Sequence, residues 1–174
     1  MSVQAGIKLS QELPVFGGLK QETISSLLSM ASCLIIKKGD ILFEEGERSP
    51  LMYIIQKGQI GIIKRSDNKQ YLLRTLSDGD CVGEMALFDF MEYSFSAYAL
   101  EDVNLIGISS ANLLEVYKQD LEQFTLIQMN IAREVSRRLR YADDNCFKPL
   151  VEVTITNKKL QRPDSNPVQR FNAV

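Results

Sequence analysis

The chain has 174 residues, 45% hydrophobic and 24% charged, with 20 Lys and Arg against 22 Asp and Glu and a net charge of −2. That length fits one domain with a real core, and the near-neutral balance argues against broad binding to nucleic acid or an anionic membrane. With no histidine, Ser-His-Asp and Cys-His nucleophiles and His-based metal sites are excluded, and no paired-acid or P-loop pattern suggests an enzyme of another kind.

The N-terminus, "MSVQAGIKLSQELPVF", lacks the apolar run of a signal peptide, and no window approaches eighteen apolar residues. A cytoplasmic protein without membrane insertion is expected. Cys33, Cys81 and Cys146 are widely spaced and odd in number, so they read as reduced thiols, neither a disulfide framework nor a metal cluster. No catalytic residue, metal ligand or resident cofactor is predicted.

Residues 1–12 form an N-terminal segment, after which "LPVFGGL" makes a turn that offers Phe16 and Leu19 to a core. Leu19 to Ala31 carries Ile24, Leu27, Leu28 and Ala31 at helical spacing and predicts a short amphipathic helix. From Cys33 to about Ser109, apolar runs of four to seven residues are cut by Gly and Asp: "CLIIKKGD", "ILFEEGE", "LMYIIQKGQIGIIKR", "QYLLRTLSDGD", "NLIGIS". These read as short strands, with Lys57-Gly58 and Ser66-Asp67-Asn68 as hairpin connections, and they favour a β-sandwich, jelly roll or barrel.

Helical period returns at Ala111, with a helix to about Lys118 and a longer one from Leu121 to Asp143. Phe124, Ile127, Ile131, Val135 and Leu139 recur there at steps of three and four, a coiled-coil-like seam that predicts a homodimer. Arg133, Arg137, Arg138 and Arg140 lie mostly off that stripe and read as a solvated face complementing the helix dipole. Residues 144–174 are expected to form an extended tail, in which Leu150 to Thr156 has the texture of one isolated strand.

Five glycine-centred turns, at Gly39-Asp40, Gly46-Glu47, Gly58, Gly79-Asp80 and Gly83-Glu84, each close a strand, as in "LSDGDCVGEMAL". Together with the upstream "LPVFGGLKQETISSLLSMA", this order resembles the cyclic-nucleotide-binding domain family, from about Leu13 to Asp143. The resemblance implies a mainly β fold, a β-roll or jelly roll of about eight strands with an N-terminal helix and a long C-terminal dimerisation helix. It also implies a ligand site inside the roll, under a short helix called the phosphate-binding cassette. In that scheme Glu84 accepts from a ribose hydroxyl, and the backbone N–H groups around Gly83, Met85, Ala86 and Leu87 face a cyclic phosphate.

The family pattern then requires an arginine, followed by Ser or Thr and Ala, to pair with the phosphate. Counting back from "ALED", that triplet falls on Tyr93-Ser94-Phe95, and no Lys or Arg occurs between Glu84 and Leu100. Tyr93 shares an alternating face with Phe95, Ala97 and Ala99, so an aromatic takes the inward place of the cation while Ser94 keeps the hydroxyl. Arg74 and Arg65, on neighbouring strands, are the candidate cations to replace it in the cavity.

The expected function is a stand-alone regulatory module with a degenerate cassette, binding cyclic nucleotide weakly or not at all. It would act non-enzymatically through an unidentified protein partner. The alternative is a working sensor of cAMP, cGMP or another small ligand that signals by moving its C-terminal helix. About thirty residues after the long helix leave no room for a helix-turn-helix, so DNA is not an expected partner.

Overall fold

The apolar runs between the glycine turns pair into two antiparallel sheets, and helices cover one outer face. The computed structural model describes residues 13–67, 69–145 and 151–153. A 3-10 turn at Pro14–Phe16 leads into helix α1, Gln21–Met30. Strands β1 (Ser32–Ile36), β2 (Ile41–Phe43), β3 (Leu51–Lys57), β4 (Ile60–Ser66), β5 (Lys69–Leu76) and β6 (Cys81–Val82) follow. Helix α2 (Glu84–Asp89) interrupts them before β7 (Ser96–Ala99) and β8 (Val103–Ser109). Helices α3 (Ser110–Gln119) and α4 (Leu121–Asn145) complete the domain, and β9 (Val151–Val153) returns to the sheet.

One sheet has the order β1-β8-β3-β6 and the other β2-β7-β4-β5-β9. This is the expected mainly β roll with flanking helices. The Ser66-Asp67-Asn68 connection does join a hairpin, β4 to β5. Lys57-Gly58 does not: β3 and β4 lie in different sheets, so this turn carries the chain from one layer to the other. Gly58 is required there, because its φ is +108° and a Cβ would lie 2.6 Å from the Asp102 carbonyl oxygen. Of the segment read as an isolated strand, Val151–Val153 pairs antiparallel with β5. The N-terminal segment 1–12 and most of the tail lie outside the described residues.

Side-chain alternation along β3 and β8 builds two cores at once. Met52, Ile54, Ile106 and Ile108 face the helices and join Val15, Phe16, Ile24, Leu27, Ile127 and Ile131. Ile55, Val103 and Leu105 face into the roll and join Phe43, Ile60, Ile62, Val82, Tyr93 and Phe95. Each fully buried residue of this size contributes about 1.5–3 kcal/mol of transfer free energy. Among the described residues, no helix is long and apolar enough to cross a membrane.

Helix α4 is fixed to the N-terminal turn by a buried amide. Asn130 Nδ2 donates to the carbonyls of Val15 (3.0 Å) and Gly17 (2.8 Å), and its Oδ1 accepts from Arg133. The residues expected at a dimer seam therefore divide. Ile127 and Ile131 are fully buried in the chain's own core, and Phe124 packs half-buried beside them, edge-on to Tyr117. Val135 is half-buried, and Leu139 alone of the five is open, at 63% exposed. On the outward face Met129, Ala132, Ser136 and Leu139 are exposed at steps of three, four and three.

Candidate functional site

The strand β6 ends at Val82, and Gly83 turns the chain into α2 in a left-handed conformation, φ +83°. A Cβ at Gly83 would sit 2.9 Å from the Leu51 carbonyl oxygen and 3.0 Å from Cε1 of Tyr93. Glycine is thus needed twice, for its φ and for the ring that lies over it.

Tyr93 points inward, as the alternation predicts, and is almost fully buried. Its ring stacks on Phe43 with centroids 3.7 Å apart and planes 18° apart. Its hydroxyl donates to the Leu51 carbonyl (2.8 Å), so the polar end of the ring is satisfied without a ligand. Its backbone is also paired, the N–H to Glu47 O and the carbonyl to the Gly46 N–H, each at 2.9 Å. Burial raises the phenol pKa, so the ring stays neutral. Tyr53, beside it in the same core, is shifted upward for the same reason.

Glu84 occupies the first position of α2 and is 1% exposed. A carboxylate so deep needs a partner, and α4 supplies it: Arg138 Nη1 donates to Glu84 Oε1 at 2.5 Å. The other terminal nitrogen of Arg138 donates to the Cys81 carbonyl oxygen and approaches the Cys81 sulfur at 3.7 Å. Burial by itself lowers the Arg138 pKa, but the charge of Glu84 offsets it, and the net shift is upward. Glu84 Oε2 is buried without a hydrogen-bond partner among the described residues. The Cys81 thiol, enclosed at the same place, is pushed up to about 12, chiefly by burial, and is inert as a nucleophile.

A cavity of about 360 Å³ opens beside the cassette. Glu45, Asp89 and Glu92 give it three carboxylates, Met85, Tyr93 and Phe95 give it apolar wall, and no Lys or Arg is among its lining residues. Met85 is exposed at its edge, while Ala86 and Leu87 turn into the two cores. Ser94 is exposed, and its carbonyl accepts from Lys64 Nζ (2.7 Å), which also pairs with Glu45 (2.6 Å). Lys64 thus reaches the rim of the cavity, where it is already engaged.

The two arginines considered from the sequence lie elsewhere. Arg65 is half exposed, donating to the Tyr98 hydroxyl at 3.3 Å and lying 3.8 Å from Glu44. Arg74 is half-buried on β5, and burial first, then the Arg138 charge, lowers its pKa, while Glu84 raises it. Arg74 is not among the residues that line the cavity.

Sequence reasoning missed Arg138, which it grouped with a solvated face. The signal was present as a polar stripe: Gln123, Asn130, Glu134 and Arg138 run in phase with Ile127 and Ile131, and all face inward or nearly so. A search for apolar residues alone passes over such a stripe.

Residues 34–120 match the family model for the cyclic nucleotide-binding domain. The chain is 29% identical over 131 residues to the cyclic AMP receptor protein of Thermus thermophilus, covering 75% of this chain and 59% of that protein. It is 26% identical over 132 residues to a CRP-like cAMP-activated global transcriptional regulator of Mycobacterium tuberculosis, covering 75% and 57%. The chain thus spans less than two thirds of the length of these curated relatives. The crystal structure of the Thermus thermophilus catabolite activator protein is similar with a TM-score of 0.67 at 28% identity, over 76% of this chain and 61% of that one. A cyclic nucleotide-binding domain from Methylobacillus flagellatus reaches 0.74 over 86% and 89%, a likeness of fold at 22% identity. With half its length matched by the family model and a roll of the same architecture, this chain belongs to the cyclic nucleotide-binding domain family.

Proposed function

We propose that this domain is a regulatory module whose cassette no longer holds a cyclic phosphate, and that it acts non-enzymatically, in the cytoplasm, through protein contacts. The observation that supports this reading best is the Tyr93 ring. It covers Gly83, stacks on Phe43 and satisfies its hydroxyl on Leu51, where the family pattern puts a cation. The carboxylate-lined cavity beside it repels a phosphate further. Loss of one member of a buried charge pair costs about 2–5 kcal/mol, which is roughly 30- to 4,000-fold in affinity. Homodimerisation on this reading uses the outward face of α4 through Met129, Ala132, Ser136 and Leu139, since Ile127 and Ile131 serve the chain's own core.

One observation favours the alternative of a working nucleotide sensor. Glu84 keeps a buried Oε2 that has no hydrogen-bond partner among the described residues and that a ligand hydroxyl would satisfy. Calorimetric titration with cAMP and cGMP separates the two readings. The degenerate cassette predicts no micromolar binding by the unmodified protein, and such binding would overturn it. Tyr93→Arg should restore measurable binding, a gain of at least tenfold.

A further inference from the structure

The short stretch from Met85 to Met91 holds four of the thirteen large hydrophobic side chains that are exposed among the described residues. Met85 and Phe88 are three apart on α2 and so share its outer face. Phe90 and Met91 follow where the helix ends and are the most open of the four, at 65% and 59%. One exposed apolar side chain needs no explanation, but a group of them marks a contact surface. The backbone here works against its own preference. Phe90 is in the left-handed conformation, φ +57°, which a bulky side chain rarely adopts. The Asp89 carboxylate holds the bend by accepting from the Met91 N–H at 3.0 Å.

The same surface is acidic. Met85 and Met91 also line the cavity beside the cassette, together with Glu45, Asp89 and Glu92, so the apolar group and the carboxylates adjoin. Glu45 is paired with Lys64, whereas Asp89 and Glu92 have no ion pair among the described residues. These features select the occupant. A small cation seated in the cavity would leave Phe88 and Phe90 in water, because neither lines it. A second copy of the chain, docked by the same face, would bring the carboxylates against their own equivalents. An anionic membrane meets the same repulsion. A basic amphipathic helix satisfies both halves, with apolar side chains on the Met and Phe surface and Lys or Arg toward Asp89 and Glu92. The unbranched methionines can re-pack around such a helix.

We propose that Met85, Phe88, Phe90 and Met91, with Asp89 and Glu92, form the docking surface for a basic amphipathic helix of a protein partner. This rests on the proposed function, in which the domain acts through protein contacts, and it names the face and the chemistry of that contact. Burial of the exposed rings and thioethers supplies affinity. The two carboxylates orient the helix and select against acidic segments. The left-handed backbone at Phe90 belongs to the contact, since it presents the ring outward.

Fluorescence anisotropy on the full chain, with two synthetic peptides of about four helical turns, tests it. Both carry leucine at steps of three and four; one has lysine and the other glutamate at the remaining positions. The lysine peptide should bind and the glutamate peptide should not. Asp89→Asn with Glu92→Gln, which keeps an acceptor for the Met91 N–H, should weaken the lysine peptide about tenfold. Phe90→Asn should also weaken it about tenfold while leaving thermal stability equal or higher, because asparagine tolerates positive φ. Leu114→Ser, at an exposed apolar position on α3, should change nothing. Failure of the lysine peptide to bind, equal binding of the two peptides, or undiminished binding by either cassette variant would overturn the docking surface, as would an equal loss in Leu114→Ser. Cosedimentation with phosphatidylcholine–phosphatidylserine vesicles, abolished by Phe90→Asn, would overturn it in favour of a membrane. Titration with cAMP reads the proposed function alone. Micromolar cAMP binding beside lysine-peptide binding removes the degenerate cassette and keeps the surface, and absence of both does the reverse.

Discussion

The two ends of the cassette handle burial in opposite ways. At Glu84 a charge is kept inside the protein, because α4 brings a guanidinium to it. At Tyr93, where the family pattern places a charge, there is a neutral ring whose one polar atom meets a backbone carbonyl. A buried charge persists only with a counterion, and in this chain one end has its counterion in the same molecule. The other end would need an anionic ligand to supply it. On the proposed reading, the difference accounts for a carboxylate at position 84 and no cation at position 93: Glu84 serves the ligand-free fold, and an unpaired arginine at position 93 would not.

The contrast can be broken most severely at its charged end. Glu84→Ala leaves Arg138 enclosed without its carboxylate and should cost about 3–5 kcal/mol of stability, measured by denaturant unfolding. A double substitution, Glu84→Gln with Arg138→Met, should recover most of that loss, because no uncompensated charge is left behind. A loss in the double variant as large as in Glu84→Ala would show that shape, not charge, holds this end together.

The neutral end predicts a smaller effect. Tyr93→Phe keeps the stack on Phe43 but leaves the Leu51 carbonyl without its donor, for a cost of about 1–2 kcal/mol. An effect above that range would mean that the hydroxyl does more than satisfy one acceptor. The rim predicts the smallest effect. Lys64 and Glu45 are both partly exposed, so Lys64→Ala should change stability by about 0–1 kcal/mol, and less at high salt. If the same variant lowered nucleotide binding in Tyr93→Arg, Lys64 would join the list of groups that reach the phosphate position.

Much of the roll was readable without coordinates. The strands follow from short apolar runs, and their ends from glycine and aspartate, because a half-buried strand must alternate and a tight turn must admit positive φ. The inward direction of Tyr93 was legible for the same reason, since Phe95, Ala97 and Ala99 share its parity and all are buried. The Lys57-Gly58 turn was less legible: a glycine turn between two apolar strands looks alike whether the strands pair or pass to different sheets. The long helix was legible in existence and length but not in orientation. Its apolar stripe supports either a partner helix or the chain's own core, and the structure commits Ile127 and Ile131 to the core.

The amino-acid sequence by itself determined the alternation that builds the roll, the glycine turn at Gly83, and the neutral aromatic at position 93. Each depends on residues close together in the chain, where period and steric allowance act directly. Only the tertiary structure decided which charge is buried and what compensates it. Arg138 and Glu84 are 54 residues apart, and nothing in either local sequence marks them as partners. Packing of α4 against the first core brings the guanidinium over the cassette, and the free energy of a buried carboxylate then makes that contact matter.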